Sequence, residues 1–251
     1  MNTTTIIILS TLIFGANCSQ YLIASGRVSG APDESTEVVE LDDTSTTPSF
    51  GQLPSKRIDA VGAMIGNAPI ICGGEFYGGY DNTTDSCITY HQDSQWTQSH
   101  SMIQKRTGHA FVQINSTTIW ILGGFDGKTS FLDSTEFIIQ GQTKGVPGPK
   151  LPYGLRGMCA AKVSENEVFV IGGWSEVMKD EVWIYDPQNG FARHQGPSLN
   201  TARQFFSCST MTDGAKTLIV AAGGYNDFVS LDSVEIYDPT ANTWHSGKKN
   251  L

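Results

Sequence analysis

The sequence predicts an all-β fold made of about five repeated units, and three observations support this. Pairs of adjacent glycines close short apolar runs, and the first glycines of these pairs, at 73, 123, 172 and 223, lie 50, 49 and 51 residues apart. A period in this range is the signature of a repeat architecture. Short apolar runs separated by turn residues are typical of strands. The composition, with 27 glycines and 16% charged residues, suits a turn-rich globular β-protein.

The repeat is clearest in its third copy. Residues 106–114 predict a first strand, residues 119–124 a second strand that ends in the double glycine, and residues 134–139 a third strand. In the later copies an Asp-Pro turn, at Asp186-Pro187 and Asp238-Pro239, follows the third strand and leads to an outer strand. Each copy therefore predicts a four-stranded antiparallel unit.

These elements resemble the kelch repeat. An arginine opens the first strand, a double glycine closes the second, and a Tyr-Asp-Pro turn precedes an aromatic residue such as Trp244. The resemblance extends from Tyr21 to nearly the end of the chain. It implies a kelch-type β-propeller, in which each repeat forms a four-stranded blade around a central channel. We expect about five blades, with units at approximately 19–55, 56–104, 105–154, 155–201 and 202–251.

The first 18 residues are predicted to be a signal peptide. Ile6–Phe14 is a nine-residue apolar run, which is too short to span a bilayer. Small residues at Ala16 and Cys18 fit a signal peptidase site, with cleavage before Ser19. We therefore expect a secreted protein with no membrane span. The net charge of −9 argues against binding to nucleic acid, which needs clustered basic residues.

The first unit is degenerate, and closure of the ring is expected to be incomplete. Residues 21–25 and 36–41 predict its second and third strands, but Ser25-Gly26 replaces the double glycine. Removal of the signal peptide leaves no room for a first strand. Either Lys248–Leu251 partly completes this blade, or one or more blades are missing from the chain. We favour missing blades, because an unpaired inner edge is a liability.

Four cysteines remain after cleavage, and an even number in a secreted chain suggests disulfides. Two lie at facing ends of neighbouring strands, and two lie on the first strands of consecutive blades. The predicted pairs are Cys72–Cys87 and Cys159–Cys208. The alternative is that all four are buried free thiols. Two glycosylation sequons, at Asn82 and Asn115, fall in predicted loops.

Strand order predicts the partner-binding face. In an antiparallel blade, the loop leading into the first strand and the loop leaving the second open on the same side. Arginine and aromatic residues, which anchor interfaces, are frequent in these loops. The predicted binding residues are Arg57, Arg106, Arg156, Arg203, Phe76, Tyr77, Tyr80, Phe125, Asp126, Phe131, Trp174, Tyr225 and Phe228. The four arginines either form a ring of guanidinium groups that binds a carboxylate or sulfated group, or bond carbonyls and acids inside their own blades.

No catalytic or metal-binding motif stands out. The sequence has no Gly-x-Ser-x-Gly elbow, and no cysteine or histidine spacing typical of zinc. His109 is expected to line the channel. We therefore predict a non-enzymatic secreted module without a cofactor, which binds a protein or glycan partner. The alternatives are a hydrolase or copper-oxidase-like enzyme at the channel mouth, and an intracellular kelch protein that binds actin or recruits substrates.

Overall fold

The computed structural model describes residues 52–76, 80–91, 95–227 and 229–247, with Tyr80 by its backbone alone, and four strands before residue 41 as backbone. Among these residues, two 3₁₀ helices of three residues each, Tyr80–Asn82 and Pro187–Asn189, interrupt an otherwise all-β structure. Neither is long and apolar enough to cross a membrane. The predicted all-β fold is confirmed.

The first sheet is built from the amino-terminal segment. It contains β1 (Ile8–Leu9), β2 (Leu12–Phe14), β3 (Gln20–Val28) and β4 (Ala31–Glu40). β4 pairs antiparallel with β3, and β1 and β2 pair with successive parts of β3. The two strands predicted for this unit are present as β3 and β4. The apolar run assigned to the signal peptide supplies β1 and β2, and cleavage before Ser19 would remove both strands.

Four further sheets follow one plan. Their strands and the short strands of their loops are, in chain order, β5 (Arg57–Ile58), β6 (Val61–Ile65), β7 (Ala68–Cys72), β8 (Glu75–Phe76), β9 (Ser86–His91), β10 (Gln95–Ser101), β11 (Ala110–Asn115), β12 (Thr118–Leu122), β13 (Thr135–Ile139), β14 (Val146–Pro147), β15 (Cys159–Ser164), β16 (Glu167–Ile171), β17 (Val182–Asp186), β18 (Ala192–Gln195), β19 (Ser207–Asp213), β20 (Lys216–Ala222), β21 (Tyr225–Asn226), β22 (Val229–Ser230), β23 (Val234–Asp238) and β24 (Thr243–Ser246).

Each of these sheets is an antiparallel meander in chain order. The orders are β6-β7-β9-β10, β11-β12-β13-β14, β15-β16-β17-β18 and β19-β20-β23-β24, and we call these sheets blades two to five. Their first strands, β6, β11, β15 and β19, are neighbours, and residues of all four line a cavity of about 570 Å³. The blades are therefore arranged around a channel, as the kelch resemblance implies.

The core lies between blades, because each sheet buries its apolar faces against its neighbours. Phe169 and Ile171 of blade four pack against Ile219 and Ala221 of blade five, and all four side chains are buried. The far face of blade five is less covered, since Val220 is only half-buried at the position equivalent to Phe169. Incomplete closure of the ring beyond blade five remains a prediction.

The double glycines end the second strands for a steric reason. All eight of these glycines have positive φ, between 58° and 99°. A Cβ on Gly74 would lie 2.5 Å from the carbonyl oxygen of Ile58, and one on Gly123 would lie 2.5 Å from that of Leu155. Positive φ and such close backbone approach both favour glycine. The glycine pairs therefore hold the top of each blade against its own first strand and against the next blade.

Both predicted disulfides are present. Cys72 and Cys87 face each other on β7 and β9, with their Cα atoms 4.1 Å apart. Cys159 and Cys208 join β15 to β19 across 6.0 Å, so this bridge links blades four and five beside the channel. The sequon asparagines Asn82 and Asn115 are exposed, and their glycosylation remains a prediction.

Candidate functional site

Backbone hydrogen bonds show which residues are equivalent at the start of each first strand. The second glycine of a blade donates its N–H to the next blade: Gly74 to the carbonyl of Arg106, Gly124 to that of Leu155, and Gly173 to that of Arg203. Arg106 and Arg203 therefore share one position, which we call the opening position. Blade four has Leu155 there, not Arg156.

Arg156 occupies the following position, which we call the rim position. The amides of Thr107, Arg156 and Gln204 donate to the carbonyls of Phe125, Trp174 and Tyr225, respectively. Each of these carbonyls belongs to the residue immediately after the double glycine of the same blade. Because successive side chains on an extended backbone point to opposite faces, a shift of one residue sends the Arg156 side chain away from the blade interior.

The arginines at the opening position are used inside their blades. Arg106 donates to the carbonyls of Gly123 and Ser134, at 2.6 and 3.1 Å, and forms a 2.7 Å ion pair with Glu136. Both members of this pair are at most 1% exposed. Burial lowers the pKa of Arg106, although the nearby Glu136 carboxylate acts in the opposite direction. The guanidinium group therefore links the second and third strands of its own blade through hydrogen bonds and an ion pair.

The same arrangement recurs in blades five and two. Arg203 donates to the carbonyl of Gly223 and pairs with Glu235 at 2.7 Å. Arg57 donates to the carbonyl of Gly73, and burial lowers its pKa to about 10. Ile58 pairs with Glu75, the residue after the double glycine of blade two, so Arg57 also occupies the opening position. Of the two alternatives for the predicted arginines, Arg57, Arg106 and Arg203 follow the second, because the opening position points their side chains into their own blades.

Arg156 lies instead within an aromatic cluster at the channel mouth. Its guanidinium carbon is 5.0 Å from the ring centre of Trp174 and 5.6 Å from those of Phe131 and Phe205. Phe131 and Trp174 meet edge to face, at 4.9 Å. Phe125 extends the cluster, 5.5 Å from Phe131. A guanidinium group over aromatic faces is held by cation–π attraction and by stacking.

A ring of left-handed residues supports this cluster. Asp59, Gly108, Gly157 and Phe205 have φ values of 52°, 58°, 63° and 49°. Each later member donates its amide to the carbonyl of the member before it, at 2.7 to 3.1 Å. Phe205 is 40% exposed, and its ring lies against Gly108 and Gly157. A bulky residue in this conformation is strained, and such outliers cluster at functional sites.

Of the other predicted residues, some are described and some are not. Phe76 is half-buried beside the Arg57 guanidinium, at 5.4 Å, and Tyr225 is exposed. The Asp126 carboxylate accepts the amides of Lys128, Thr129 and Ser130. Burial alone would raise the pKa of Asp126, but these amides lower it, so the carboxylate stabilises its own loop. Tyr77, Phe228 and the Tyr80 side chain lie outside the described residues.

His109 is a buried residue of the channel wall. Burial, together with the charge of Arg106, holds its pKa well below the usual range, so the imidazole is neutral at neutral pH. In the ranges that the structure describes, no three histidine, cysteine, aspartate or glutamate side chains are grouped so that they could hold a metal ion.

The sequence interpretation missed four residues of this site: Leu155 at the opening position, Thr107 and Gln204 at the rim position, and Phe205 in the left-handed ring. One signal was available for blade four. Glycine follows Arg156 directly, at Gly157, whereas one residue separates Arg106 from Gly108. Aligning these two glycines places Arg156 opposite Thr107.

Comparisons with known proteins agree with this architecture. A family model described as the kelch motif matches residues 215–250, within blade five. A solved structure described as that of YjhT is similar, with 12% sequence identity, a TM-score of 0.78, and coverage of 94% of this chain and 83% of that chain. At this identity the likeness concerns the fold. No curated protein sequence matches the chain.

The repeated blades, the motif and the structural match together define the class. The chain has the fold of a kelch-type β-propeller, and its last repeat matches the kelch motif.

Proposed function

We propose that this chain is a secreted kelch-repeat module that binds a macromolecular partner through the face around the channel mouth. The aromatic cluster of Phe131, Trp174 and Phe205 around Arg156 is the observation that carries this proposal. Arginine and large aromatic residues dominate binding energy at interfaces. The cluster stands on loops of a rigid β-scaffold, where recognition residues are usually found.

Secretion is supported by separate features. The two disulfides are typical of proteins that mature in an oxidising compartment. The apolar run before Ser19 has the length and flanking residues of a signal peptide. Mass spectrometry of the purified protein tests this part. We expect a mature chain that begins at Ser19 and carries glycan at Asn82 or Asn115, and a chain that keeps Met1 and lacks glycan contradicts secretion.

Partner capture tests the proposed face. The face variant Arg156→Gln/Trp174→Ala removes the central arginine–tryptophan pair. A matched control exists in the same blade, where Arg193 of the outer strand β18 stacks on Trp183 of β17 at 5.9 Å. Arg193→Gln/Trp183→Ala has the same change in charge and composition. We expect extracellular proteins or glycans captured by the wild type to be lost with the face variant and kept with the control.

Equal capture by the wild type and the face variant excludes this face. Loss of capture by both variants indicates general damage to blade four, which circular dichroism and thermal unfolding of the two variants detect directly.

A further inference from the structure

We propose that Arg156 is the binding site for a carboxylate group of the partner, with the Thr107 hydroxyl donating a neutral hydrogen bond. This inference rests on the proposed function and names the chemical group that the face recognises. It follows from the one-residue shift that separates Arg156 from the arginines of the opening position.

The Arg156 guanidinium is available for an anion. Arg106 and Arg203 each have a buried glutamate partner, at Glu136 and Glu235. The equivalent position in blade four holds Trp183, which has no charge to offer. Within the described residues the Arg156 side chain makes no hydrogen bond and no ion pair, and three aromatic ring centres lie within 5.6 Å of its guanidinium carbon.

The rim position of the neighbouring blades also carries unused polar groups. Thr107 is 2% exposed, and its hydroxyl oxygen has no hydrogen-bond partner among the described residues. The buried side-chain oxygen of Gln204 also has no hydrogen-bond partner among the described residues. Buried polar atoms are normally bonded, and each exception calls for an explanation. Thr107, Arg156 and Gln204 sit at equivalent positions of consecutive blades. The Thr107 hydroxyl can donate to a carboxylate bound at Arg156, whereas the Gln204 oxygen is an acceptor and requires a donor from another group of the ligand.

A carboxylate fits this site better than a phosphate or sulfated group. The guanidinium fork pairs with the two oxygens of a carboxylate through parallel hydrogen bonds. Arg156 is the one guanidinium group in this cluster among the described residues. The loops beside it carry Asp126 and Glu176 together with Lys128 and Lys179, so these four side chains add no net positive charge for a second negative charge of the ligand. The aromatic rings exclude water and thereby strengthen the one ion pair that forms.

Nuclear magnetic resonance titration tests the chemistry with small probes. Benzoate carries the carboxylate and an aromatic ring, and benzamide is its neutral counterpart. The Arg156 Nε–H and Trp174 indole N–H signals report binding directly. We expect saturable shifts with benzoate and shifts at least tenfold weaker with benzamide. Benzenesulfonate and phenyl phosphate serve as competing anions, and we expect both to bind more weakly than benzoate.

Variants assign the effect to single residues. Arg156→Gln should abolish the benzoate shift of Trp174, Thr107→Val should weaken benzoate binding several-fold, and Arg193→Gln should leave it unchanged. Equal shifts with benzoate and benzamide, stronger binding of phenyl phosphate, or an unaltered response in Arg156→Gln overturns the proposal.

Two further matched pairs identify the source of the carboxylate. N-acetylglutamate methylamide against its glutamine counterpart represents a protein partner, and methyl glucuronide against methyl glucoside represents a glycan. Preference for the charged member in either pair supports the carboxylate site and names its source, and indifference in both overturns it. Benzoate binding with unaltered partner capture by the face variant contradicts the proposed function alone, whereas lost capture without carboxylate preference contradicts this inference alone.

Discussion

Blades three and four use an arginine at the start of the first strand in opposite ways. In blade three Arg106 is buried, bonds two carbonyls and pairs with Glu136. In blade four Arg156 lies one residue later and contacts three aromatic rings at the channel mouth. The opening position is filled by Leu155, which is 2% exposed. Arg106 therefore stabilises its own blade, whereas Arg156 in the next blade is a candidate ligand-binding residue.

The difference shows that one blade of a repeat protein can depart from the structural pattern while its neighbours keep it. Leu155 and Trp183 replace a buried ion pair with apolar side chains, an exchange that is often neutral for stability. The guanidinium group of Arg156 then lies at the channel mouth and not inside the blade. This change requires only a shift of one residue, because alternate side chains of an extended segment face opposite sides.

The largest expected effect comes from comparing two single variants, in each of which one of these arginines is replaced by leucine. Arg106→Leu leaves the carboxylate of Glu136 buried without its cation, and breaking a buried pair in this way costs about 3–5 kcal/mol in the free energy of unfolding. Arg156→Leu removes stacking contacts alone, and we expect a cost of about 1 kcal/mol. Urea unfolding of the two variants measures this difference. Equal losses would show that the two arginines have the same role.

A smaller effect is expected three residues after the opening position, where blade three has His109 and blade four has Met158. The pKa of His109 is lowered in the folded state, so the unfolded state binds a proton that the folded state does not. Stability should therefore fall as the pH drops below about 6.5, by at most about 1.4 kcal/mol per pH unit. His109→Met should remove this part of the pH dependence.

Urea unfolding of the wild type and His109→Met at pH 7.5 and pH 5 measures this effect. The free energy of unfolding of the wild type, relative to that of His109→Met, should be higher at pH 7.5 than at pH 5. A difference that does not change between these pH values excludes His109 as the titrating group.

The smallest effect on stability is expected at Phe205, the aromatic member of the left-handed ring, which lies against Gly108 and Gly157. Phe205→Gly removes ring contacts but also removes the strain of a left-handed aromatic residue, which is of order 1–2 kcal/mol. We expect the free energy of unfolding to stay within about 1 kcal/mol of the wild type. The adjacent core residue provides the control, since Phe206→Gly should cost at least about 3 kcal/mol.

These two variants also sharpen the functional comparison. Phe205→Gly should weaken partner capture although the fold survives, because the ring forms one wall of the Arg156 cluster. If Phe205→Gly and Phe206→Gly destabilise the protein equally, Phe205 is a core residue and its strained backbone has no bearing on recognition.

Much of the fold was predictable from the sequence, because its signals are local. The double glycines at a constant period, the strand patterns around them and the Asp-Pro turns specify the meander of each blade. The pairing of Cys72 with Cys87 follows from two strands joined by one loop. The strands before β3 were not expected, since the same apolar run also satisfies the pattern of a signal peptide.

The sequence by itself determined the repeat, the order of strands within a blade and the face on which the candidate residues lie. The tertiary structure decided which arginine is buried. Arg106 and Arg156 both open a predicted strand and differ along the chain in their spacing to the next glycine, and the hydrogen bonds from Gly74 and Gly124 in the preceding blades place Arg106 and Leu155 at the same point. Contacts between blades give that spacing its meaning, because a shift of one residue exchanges the interior of the blade for its surface.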